Sequence, residues 1–485
     1  MRIYRFVTTA FLLATLPILN SYVVADSFES TENVGVNLES FTDSITLSFD
    51  EATIMALENN RQIKAAKARM RASEFGVKSA YTNFLPKVTG SGAYVRLDER
   101  PFIDASGFSS MFEPLMEPFT YLVDNGYLDP STLSGLQGGG ADKIYVGKRD
   151  NYVFGLSVNQ PIFTGGALLN SLKIAKLNAK SEKWNLERDE NDVRKAVSES
   201  YFSLIKTTGF LKAARESISQ LEAHIVDLEN LMVEGMIIEN DLLKARVKLY
   251  EIRLMENQAA NGVKLASAYL CHLLNIDLNT RVVPIDPPRP EIEGLNSLES
   301  YKSKAVKDRP EIRSVNTVTE ISKKLISLEK SKYLPGLFLI GNYDWKRPDR
   351  QYEPEFYGTW NITLALQMDI FSWGDKHFRV QKAKSNYEQL KQAAKMLEDG
   401  ISIEVKQTYL TLFEKRTAVE LSEEGLKQVK ENYRVTHENF YEGISTNTDL
   451  LDAQADLTRA EIENVNANVD LLIAYENLKH ATAGY

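Results

Sequence analysis

The sequence predicts a mainly α-helical chain that also carries β-strands long enough to cross a membrane. Two observations lead to this prediction. Heptad seams indicate helices of about sixty-five residues that turn and return as antiparallel hairpins. Ahead of each long helix lies a run in which apolar residues alternate with small or polar ones. Each feature occurs twice, which indicates an internal tandem duplication.

The N-terminus has the composition of a secretory signal peptide, which we assign to residues 1–25. Arg2 and Arg5 precede an apolar run from Phe6 to Leu19, and small residues follow it. The alternative, an N-terminal membrane anchor, is disfavoured because this run is shorter than the ~20 residues that a spanning helix needs. Residues 26–44 are polar, acidic and without period, so they are predicted to be a flexible leader.

Composition limits the classes of function. Hydrophobic residues make up 43% of the chain and charged residues 25%, as in ordered proteins. The formal charge of −9 becomes −11 without the signal peptide, which has two basic and no acidic residues. This acidic balance argues against nucleic acid as a partner. Cys271 is the only cysteine, which excludes an intrachain disulfide and a cysteine-based zinc cluster.

The chain is predicted to contain two copies of one unit, residues 45–283 and 297–485, joined by a proline-rich linker at 284–296. Equivalent residues in the first part of each copy are separated by 249 positions. The pairs are Ala56 and Ala305, Ile63 and Ile312, Leu85-Pro86 and Leu334-Pro335, Gly92 and Gly341, and Tyr94 and Tyr343. A gapless offset across a helix and a strand favours duplication over chance.

Each unit is predicted to open with a helix. Ser48 and Glu51 form a capping box, in which hydroxyl and carboxylate satisfy the free N–H groups of a helix start. The helix is expected to continue to about Asn83, and Leu85-Pro86 ends it.

The clearest strands are predicted at Asn151–Ile162 and Thr359–Ile370, a length close to the roughly 9–11 residues of a tilted membrane strand. The residues predicted to face lipid are Tyr152, Phe154, Leu156 and Val158 in the first strand, and Trp360, Ile362, Leu364, Leu366 and Met368 in the second. Half-buried strands of a soluble sheet are the alternative. That alternative is disfavoured because the sequence offers no other apolar layer to cover these faces.

Pairing each of these strands with the strand after its Leu-Pro gives two hairpins, hence four strands per chain. The first hairpin holds 41 more residues than the second, within about 97–149, and is predicted to have an elaborated loop of unassigned role. Four strands cannot close a barrel, and an open sheet edge cannot face lipid. Oligomerisation is therefore required, and a trimer supplies twelve strands.

The long helical hairpins turn at two equivalent corners, Gly235 and Gly443, which lie 208 residues apart. A glycine after one helical run, followed by an acidic residue that opens the next, is typical of a helix-turn-helix corner. Asp241 and Asp449 are those acidic residues, also 208 residues apart.

The chain resembles the TolC-like outer-membrane efflux proteins over essentially all of the mature sequence. The features that carry the resemblance are Leu47…Glu51-Ala52…Ala56-Leu57…Asn60-Arg61…Ile63, the Pro-Ile-Phe-Thr-Gly-Gly at 161–166, and the two Gly…Asp-Leu-Leu…Ala corners. Arg61 replaces a proline that is usual in the opening motif, and the second copy keeps it as Pro310.

The resemblance implies a homotrimeric channel embedded in outer-membrane lipid, with a 12-stranded β-barrel above a periplasmic α-barrel. It implies docking onto a periplasmic adaptor (membrane fusion) protein and an inner-membrane transporter of the RND or ABC type, which supplies the energy. The protein would then be the passive exit duct of a tripartite efflux or type I secretion system. Small molecules and protein both remain open as cargo.

In that family, aspartates constrict the periplasmic end, and they map onto Asp449 and Asp452, with Asp241 at the equivalent place in the first copy. Three copies of such carboxylates would repel one another and attract cations, so a mild cation preference is expected. The alternative is that Asp449 and Asp241 cap their helices; Asp452 is less suited to that. Ser445 and Phe440 replace an arginine and a tyrosine of the family's latch, so a different or weaker latch is expected.

Two other classes of function are disfavoured. The five histidines are scattered along helical segments, and no metal-protease, nucleotide-binding or serine-elbow motif occurs, so neither an enzyme nor a cofactor is expected. A soluble periplasmic coiled-coil adaptor would explain the heptad seams. It would not explain two amphipathic hairpins with apolar faces of lipid-crossing length.

Overall fold

The computed structural model describes residues 43–104, 116–129, 143–287, 289–290, 294–351 and 353–484. The helices are α1 (Phe49–Asn59), α2 (Arg61–Thr82), α3 (Ala167–Val233), α4 (Glu239–Leu274), α5 (Leu298–Asp308), α6 (Pro310–Ser331), α7 (Asp375–Tyr441) and α8 (Asn447–Ala481). The strands are β1 (Asp43–Leu47), β2 (Lys87–Arg96), β3 (Phe102–Asp104), β4 (Lys143–Tyr145), β5 (Asp150–Thr164), β6 (Thr280–Pro284), β7 (Gly336–Arg347) and β8 (Tyr357–Gln367). None of the helices in this part of the chain is long and apolar enough to span a membrane.

Two predicted regions fall largely outside the described residues. These are the signal peptide at 1–25 and the leader at 26–44, although the last two leader positions, 43 and 44, begin β1 rather than continuing a loose segment. The linker predicted from 284 likewise starts inside a strand, because β6 ends at Pro284. In the loop at 97–149, β3 and β4 pair as a short antiparallel extension of the hairpin, and residues 116–124 are helical.

The helix predicted from Ser48 to about Asn83 is interrupted, and the prediction of one continuous helix is wrong. Ser48 and Glu51 form the expected capping box, but the backbone of Asn60 leaves the helical region with ψ of 135°. The Asn60 side chain then caps α2 through the N–H of Gln62, and its amide donates to the Leu273 carbonyl. In the second unit the helix breaks at the equivalent position, Arg309, just before the proline that opens α6.

Four strands form one antiparallel sheet in the order β2-β5-β7-β8. The two predicted hairpins, β2–β5 and β7–β8, are confirmed, and β5 pairs with β7 to join them. This arrangement leaves β2 and β8 as the two edges of the sheet. The predicted strand at Thr359–Ile370 instead ends at Gln367, so Met368, predicted as a lipid-facing strand residue, lies just beyond β8.

A second, parallel sheet of β1 and β6 was not predicted from the sequence. The two strands are each five residues long and lie far apart in the chain, so no local sequence pattern indicates that they pair. Tyr201 of α3 is fully buried beside them. Its hydroxyl lies 2.9 Å from the Leu47 carbonyl oxygen and accepts the Ile285 N–H at 2.9 Å. Burial raises the pKa of Tyr201 to about 12.

The long helices form two antiparallel hairpins that pack side by side. Both α3 and α7 contain 67 residues, which at ~1.5 Å per residue corresponds to roughly 100 Å. The α3 helix packs against α4, α7 packs against α8, and α3 also packs against α8. The lateral order is therefore α4-α3-α8-α7, with α4 and α7 at the edges of the helical layer.

Both corners end their outgoing helices with the same backbone motif. At the first, the N–H of Gly235 donates to Met232 and that of Met236 donates to Leu231. At the second, Gly443 and Ile444 donate to the equivalent carbonyls three and five residues earlier. This double bond pattern is a Schellman motif, and it places each glycine at φ of 75°, a left-handed conformation that glycine adopts without strain.

Replacing the corner glycine should therefore destabilise the protein. We expect Gly443→Ala to lower the stability by about 1–2 kcal/mol, because an L-residue is strained in the left-handed region. Gly425→Ala is the matched control: Gly425 lies within α7 with space for a methyl group, and alanine there should stabilise the helix by about 1 kcal/mol. Thermal unfolding followed by circular dichroism in detergent should move in opposite directions for the two variants. Equal shifts would contradict the assignment of the turn.

Candidate functional site at the helical corners

The two corners lie side by side and are joined by side chains. Asn447, the first residue of α8, is 5% exposed, and its amide Nδ2 donates to the Asp241 backbone carbonyl at 2.9 Å. Lys244 Nζ donates to Thr448 Oγ1 at 3.2 Å. A cleft of about 530 Å³ lies between the corners. Residues that are 206 and 204 positions apart in sequence thus contribute to one site.

Asp449 has the geometry of a helix cap. Its carboxylate accepts the N–H and the hydroxyl of Thr446, at 2.9 and 2.7 Å, while its own N–H donates to the Thr446 hydroxyl. The Thr446 hydroxyl, followed by its backbone N–H, lowers the pKa of Asp449 below its ordinary value. Asp449 therefore makes the contacts of a helix cap, the alternative interpretation of this residue. Its role at a pore constriction stays a prediction.

Asp241 occupies the equivalent position in α4 but is held differently. The residue before α4 is Ile238, which has no side-chain oxygen, so the first corner has no capping box. The Asp241 carboxylate instead forms an ion pair with Lys244 at 3.4 Å, in the first turn where a negative charge faces the helix dipole.

Asp452 is exposed, one turn further along α8. Within the described part of the chain, no hydrogen bond or ion pair joins it to another side chain. The structure thus brings the helix starts of Asp241 and Asp449 together through Asn447 and leaves the Asp452 carboxylate free. Of the three predicted gate residues, Asp452 alone has a carboxylate with no structural bond in the described chain.

Phe440 and Ser445, which stand where the family has a tyrosine and an arginine, contact other described residues of the same chain. Phe440 packs into the hydrophobic cluster of α3 and α4, with its ring edge-on to His224 at 5.3 Å. Ser445 donates its backbone N–H to the Asn439 carbonyl at 3.2 Å. These positions contribute packing and turn geometry.

Two side-chain hydrogen bonds between the hairpins were not predicted from the sequence. The Tyr441 hydroxyl donates to Asp227, and burial followed by this carboxylate raises the pKa of Tyr441 to about 12. His224 Nε2 lies 2.8 Å from Asn447 Oδ1. A sequence difference between the two corners could have pointed to these bonds. Tyr441 and Asn447 of the second corner correspond to Val233 and Glu239 in the first corner.

Above the corners, buried polar residues join the two hairpins. Thr458 Oγ1 donates to Ser217 Oγ at 2.9 Å, and Gln454 Nε2 donates to Gln220 Oε1 at 2.7 Å. Ser217, Gln454 and Thr458 are all buried between α3 and α8. Satisfied polar pairs in a buried interface favour one register of the helices over sliding, because any shift would leave polar atoms unpaired.

The four-stranded sheet has two chemically different faces. Register places Val158, Gly341 and Ile362 in one row across β5, β7 and β8, and the predicted lipid-facing residues of β5 and β8 follow the same alternation. Trp360 and Ile362 are 72% and 69% exposed, although both are large and apolar. An exposed apolar surface of this kind marks contact with lipid or with another protein.

The opposite face of the sheet is polar. Ser157 Oγ donates to Asn342 Oδ1 at 2.7 Å, and Asn342 Nδ2 donates to Asn361 Oδ1 at 3.1 Å. These three residues form a hydrogen-bonded row across β5, β7 and β8. The sheet therefore has the apolar-out, polar-in alternation of a barrel that encloses water.

Comparison with known proteins agrees with this geometry. Residues 128–275 and 302–484 match the family described as outer membrane efflux protein. The chain is 22% identical over 349 residues to the alkaline protease secretion protein AprF of Pseudomonas aeruginosa, covering 68% of this chain and 69% of AprF. It is 18% identical over 431 residues to the outer membrane efflux protein BepC of Brucella suis, covering 89% and 84% of the two chains.

Among solved structures, the fold is similar to that of the CmeC outer membrane channel of Campylobacter jejuni. The TM-score is 0.72 at 19% identity, covering 97% of this chain and 94% of CmeC. The likeness extends over both the sheet and the helical hairpins, because almost the whole of each chain is matched.

Proposed function

This chain belongs to the outer membrane efflux protein family, and on that premise we propose that three copies close one continuous duct. The protein is an outer-membrane exit duct of an efflux or secretion system, and its helical part lies in the periplasm. The observation that supports the trimer is the four-stranded sheet, which has an exposed apolar face and two edges that no other described strand covers.

Strand direction supports closure by a ring of identical copies. Because neighbouring strands in the order β2-β5-β7-β8 are antiparallel, β2 and β8 run in opposite directions. The β8 edge of one copy can therefore pair with the β2 edge of the next in the same antiparallel pattern. Such a head-to-tail contact closes as a ring. Three copies give twelve strands and leave no N–H or C=O edge facing lipid.

The edge helices support the same ring below the barrel. Leu243, Val247, Tyr250 and Leu254 form an exposed row on α4. Their spacing of four, three and four residues is that of a coiled-coil seam. Since α4 and α7 are the two edges of the helical layer, we propose that α7 of the adjacent copy covers this row.

We propose that the exposed ends of the corners receive the periplasmic adaptor (membrane fusion) protein, with an RND or ABC-type transporter in the inner membrane. Val233, Met236 and Ile238 at the first corner and Ile444 at the second are large, apolar and more than 60% exposed. Apolar residues clustered at the end of a hairpin favour contact with another protein. Since AprF is named for protease secretion and BepC for efflux, both protein and small molecules stay open as cargo.

At the same end, we propose that Asp452, with Asp449 and Asp241 nearby, gives the duct an acidic mouth. The free Asp452 carboxylate supports this role. A ring of three such groups would concentrate cations at the constriction.

The trimer is tested by mass. Protein purified from outer membranes in detergent should have the mass of three chains by light scattering corrected for bound detergent. It should also remain in the membrane after a carbonate wash, because the barrel is embedded. A monomer that the wash releases into solution would overturn the proposal and favour a soluble periplasmic adaptor.

The lipid-facing assignment is tested by lysine substitutions at adjacent positions. Ile362→Lys should destabilise the membrane-embedded protein by about 2–4 kcal/mol, since the charge would face the hydrocarbon. Thr363→Lys, on the polar face of β8, is the matched control and should be tolerated. The fraction of trimer that survives heating, measured on a gel, reports the stability of both variants. Equal loss in the two variants would argue against a lipid-facing row.

The acidic mouth is tested by ion selectivity in a salt gradient. Asp452→Asn should lower the cation preference by up to about fivefold, since one unit charge at contact distance is worth about 1 kcal/mol in water. Asp456→Asn removes the same charge four residues later, but Asp456 is already paired with Arg459 at 2.9 Å, so its effect should be smaller. An unchanged reversal potential in Asp452→Asn would remove this residue from the mouth.

A further inference from the structure

His224 and Asn447 form a contact at the centre of the corners, and it rests on defined proton positions. Asn447 Nδ2 faces the Asp241 carbonyl, which can only accept, so the amide oxygen of Asn447 faces His224. His224 Nε2 must therefore carry the hydrogen in this contact. One buried side chain, Asn447, thus holds the start of α8 against both α3 and α4.

The other ring nitrogen of His224 has no such bond. Nδ1 is buried and has no hydrogen-bond partner among the described residues. In the neutral ring this nitrogen carries only a lone pair. In the protonated ring it would carry a buried N–H without an acceptor, which is costly for a charged donor.

The groups packed around His224 do not supply that acceptor. They are Gln220 and Asp227 from α3, Tyr433, His437, Phe440 and Tyr441 from α7, Leu451 and Gln454 from α8, and the Asp241 carbonyl from α4. The Asp227 carboxylate accepts the Tyr441 hydroxyl and is not bonded to Nδ1, although its charge and the bond to Asn447 both raise the pKa of His224. His437 lowers that pKa, and its effect is the smallest of these. Burial, the largest effect, lowers the pKa of His224.

We propose that the His224–Asn447 contact is an acid-released lock on the corners, an inference that rests on the proposed function of the corners as the closable end of the duct. While His224 is neutral, Asn447 holds α8 against α3 and α4. When the imidazole takes up a proton from water, the buried ring has to reach solvent, and the start of α8 separates from α3.

The direction of the pH effect follows from the two states. In the released state His224 titrates near its ordinary value of about 6.5, whereas in the locked state burial keeps it neutral to lower pH. The lock is therefore complete above about pH 7 and weakens as the pH falls below about 6.5. Between pH 7.5 and 5.5 the equilibrium should shift toward release by up to about tenfold.

Hydrogen exchange in the purified full-length protein tests the lock directly. Protection of the first two turns of α8, corrected for intrinsic exchange, should fall by up to about tenfold from pH 7.5 to 5.5. In His224→Gln the amide can still donate to Asn447 but cannot be protonated, so the fall should stay below about twofold. His437→Gln is the matched control, since His437 lines the same cavity without bonding Asn447. It should keep the acid response, displaced only slightly toward higher pH because a small repulsive effect on His224 is lost.

Three outcomes would overturn the lock: constant protection in the unchanged protein, an unaltered response in His224→Gln, or loss of the response in His437→Gln. Asn447→Ala is a second variant, expected to lose protection already at pH 7.5 and to show no further acid effect. Single-channel conductance of the same proteins separates this inference from the proposed function. If acid releases α8 but conductance stays constant, the lock stands and the corners are not the closable end.

Discussion

A backbone group that faces lipid must have a hydrogen-bond partner, and this requirement governs the architecture. One chain supplies four paired strands and two edges, β2 and β8, whose outer groups pair with no other strand among the described residues. Because β5 and β8 lead directly into the long helices α3 and α7, any ring formed by the strands also arranges the helices in a ring. The corners, roughly 100 Å away along those helices, then converge on the same axis.

Local patterns predicted the elements whose cause is local. Alternating residues predicted β5 and β8, and the glycines predicted both corners, because each pattern reflects the backbone conformation of its own residues. Long-range contacts were not predictable in this way. The β1–β6 sheet, the break at Asn60 and the bond from His224 to Asn447 depend on partners more than two hundred residues away. The sequence also left the role of Asp449 open, because a carboxylate is suited both to capping a helix and to lining a pore.

The two corners share a backbone and differ in side-chain chemistry. Both have the same Schellman turn, yet Ile238 precedes α4 whereas Thr446 caps α8. The second corner also contributes Tyr441 and Asn447, which bond to the first hairpin. The turn that both corners share determines where the helices reverse, and the side chains that differ determine which bonds join the two corners. The first hairpin also donates, from Lys244 to Thr448 and from His224 to Asn447, so hydrogen bonds run in both directions between the corners.

The pairing of β1 with β6 joins the beginning and the end of the first unit. Tyr201 of α3 bonds to both ends of this pair, to the Leu47 carbonyl at the end of β1 and to the Ile285 N–H just after β6. A pull on the segment that follows β6 is therefore resisted by the long helix α3 as well as by the strand pair.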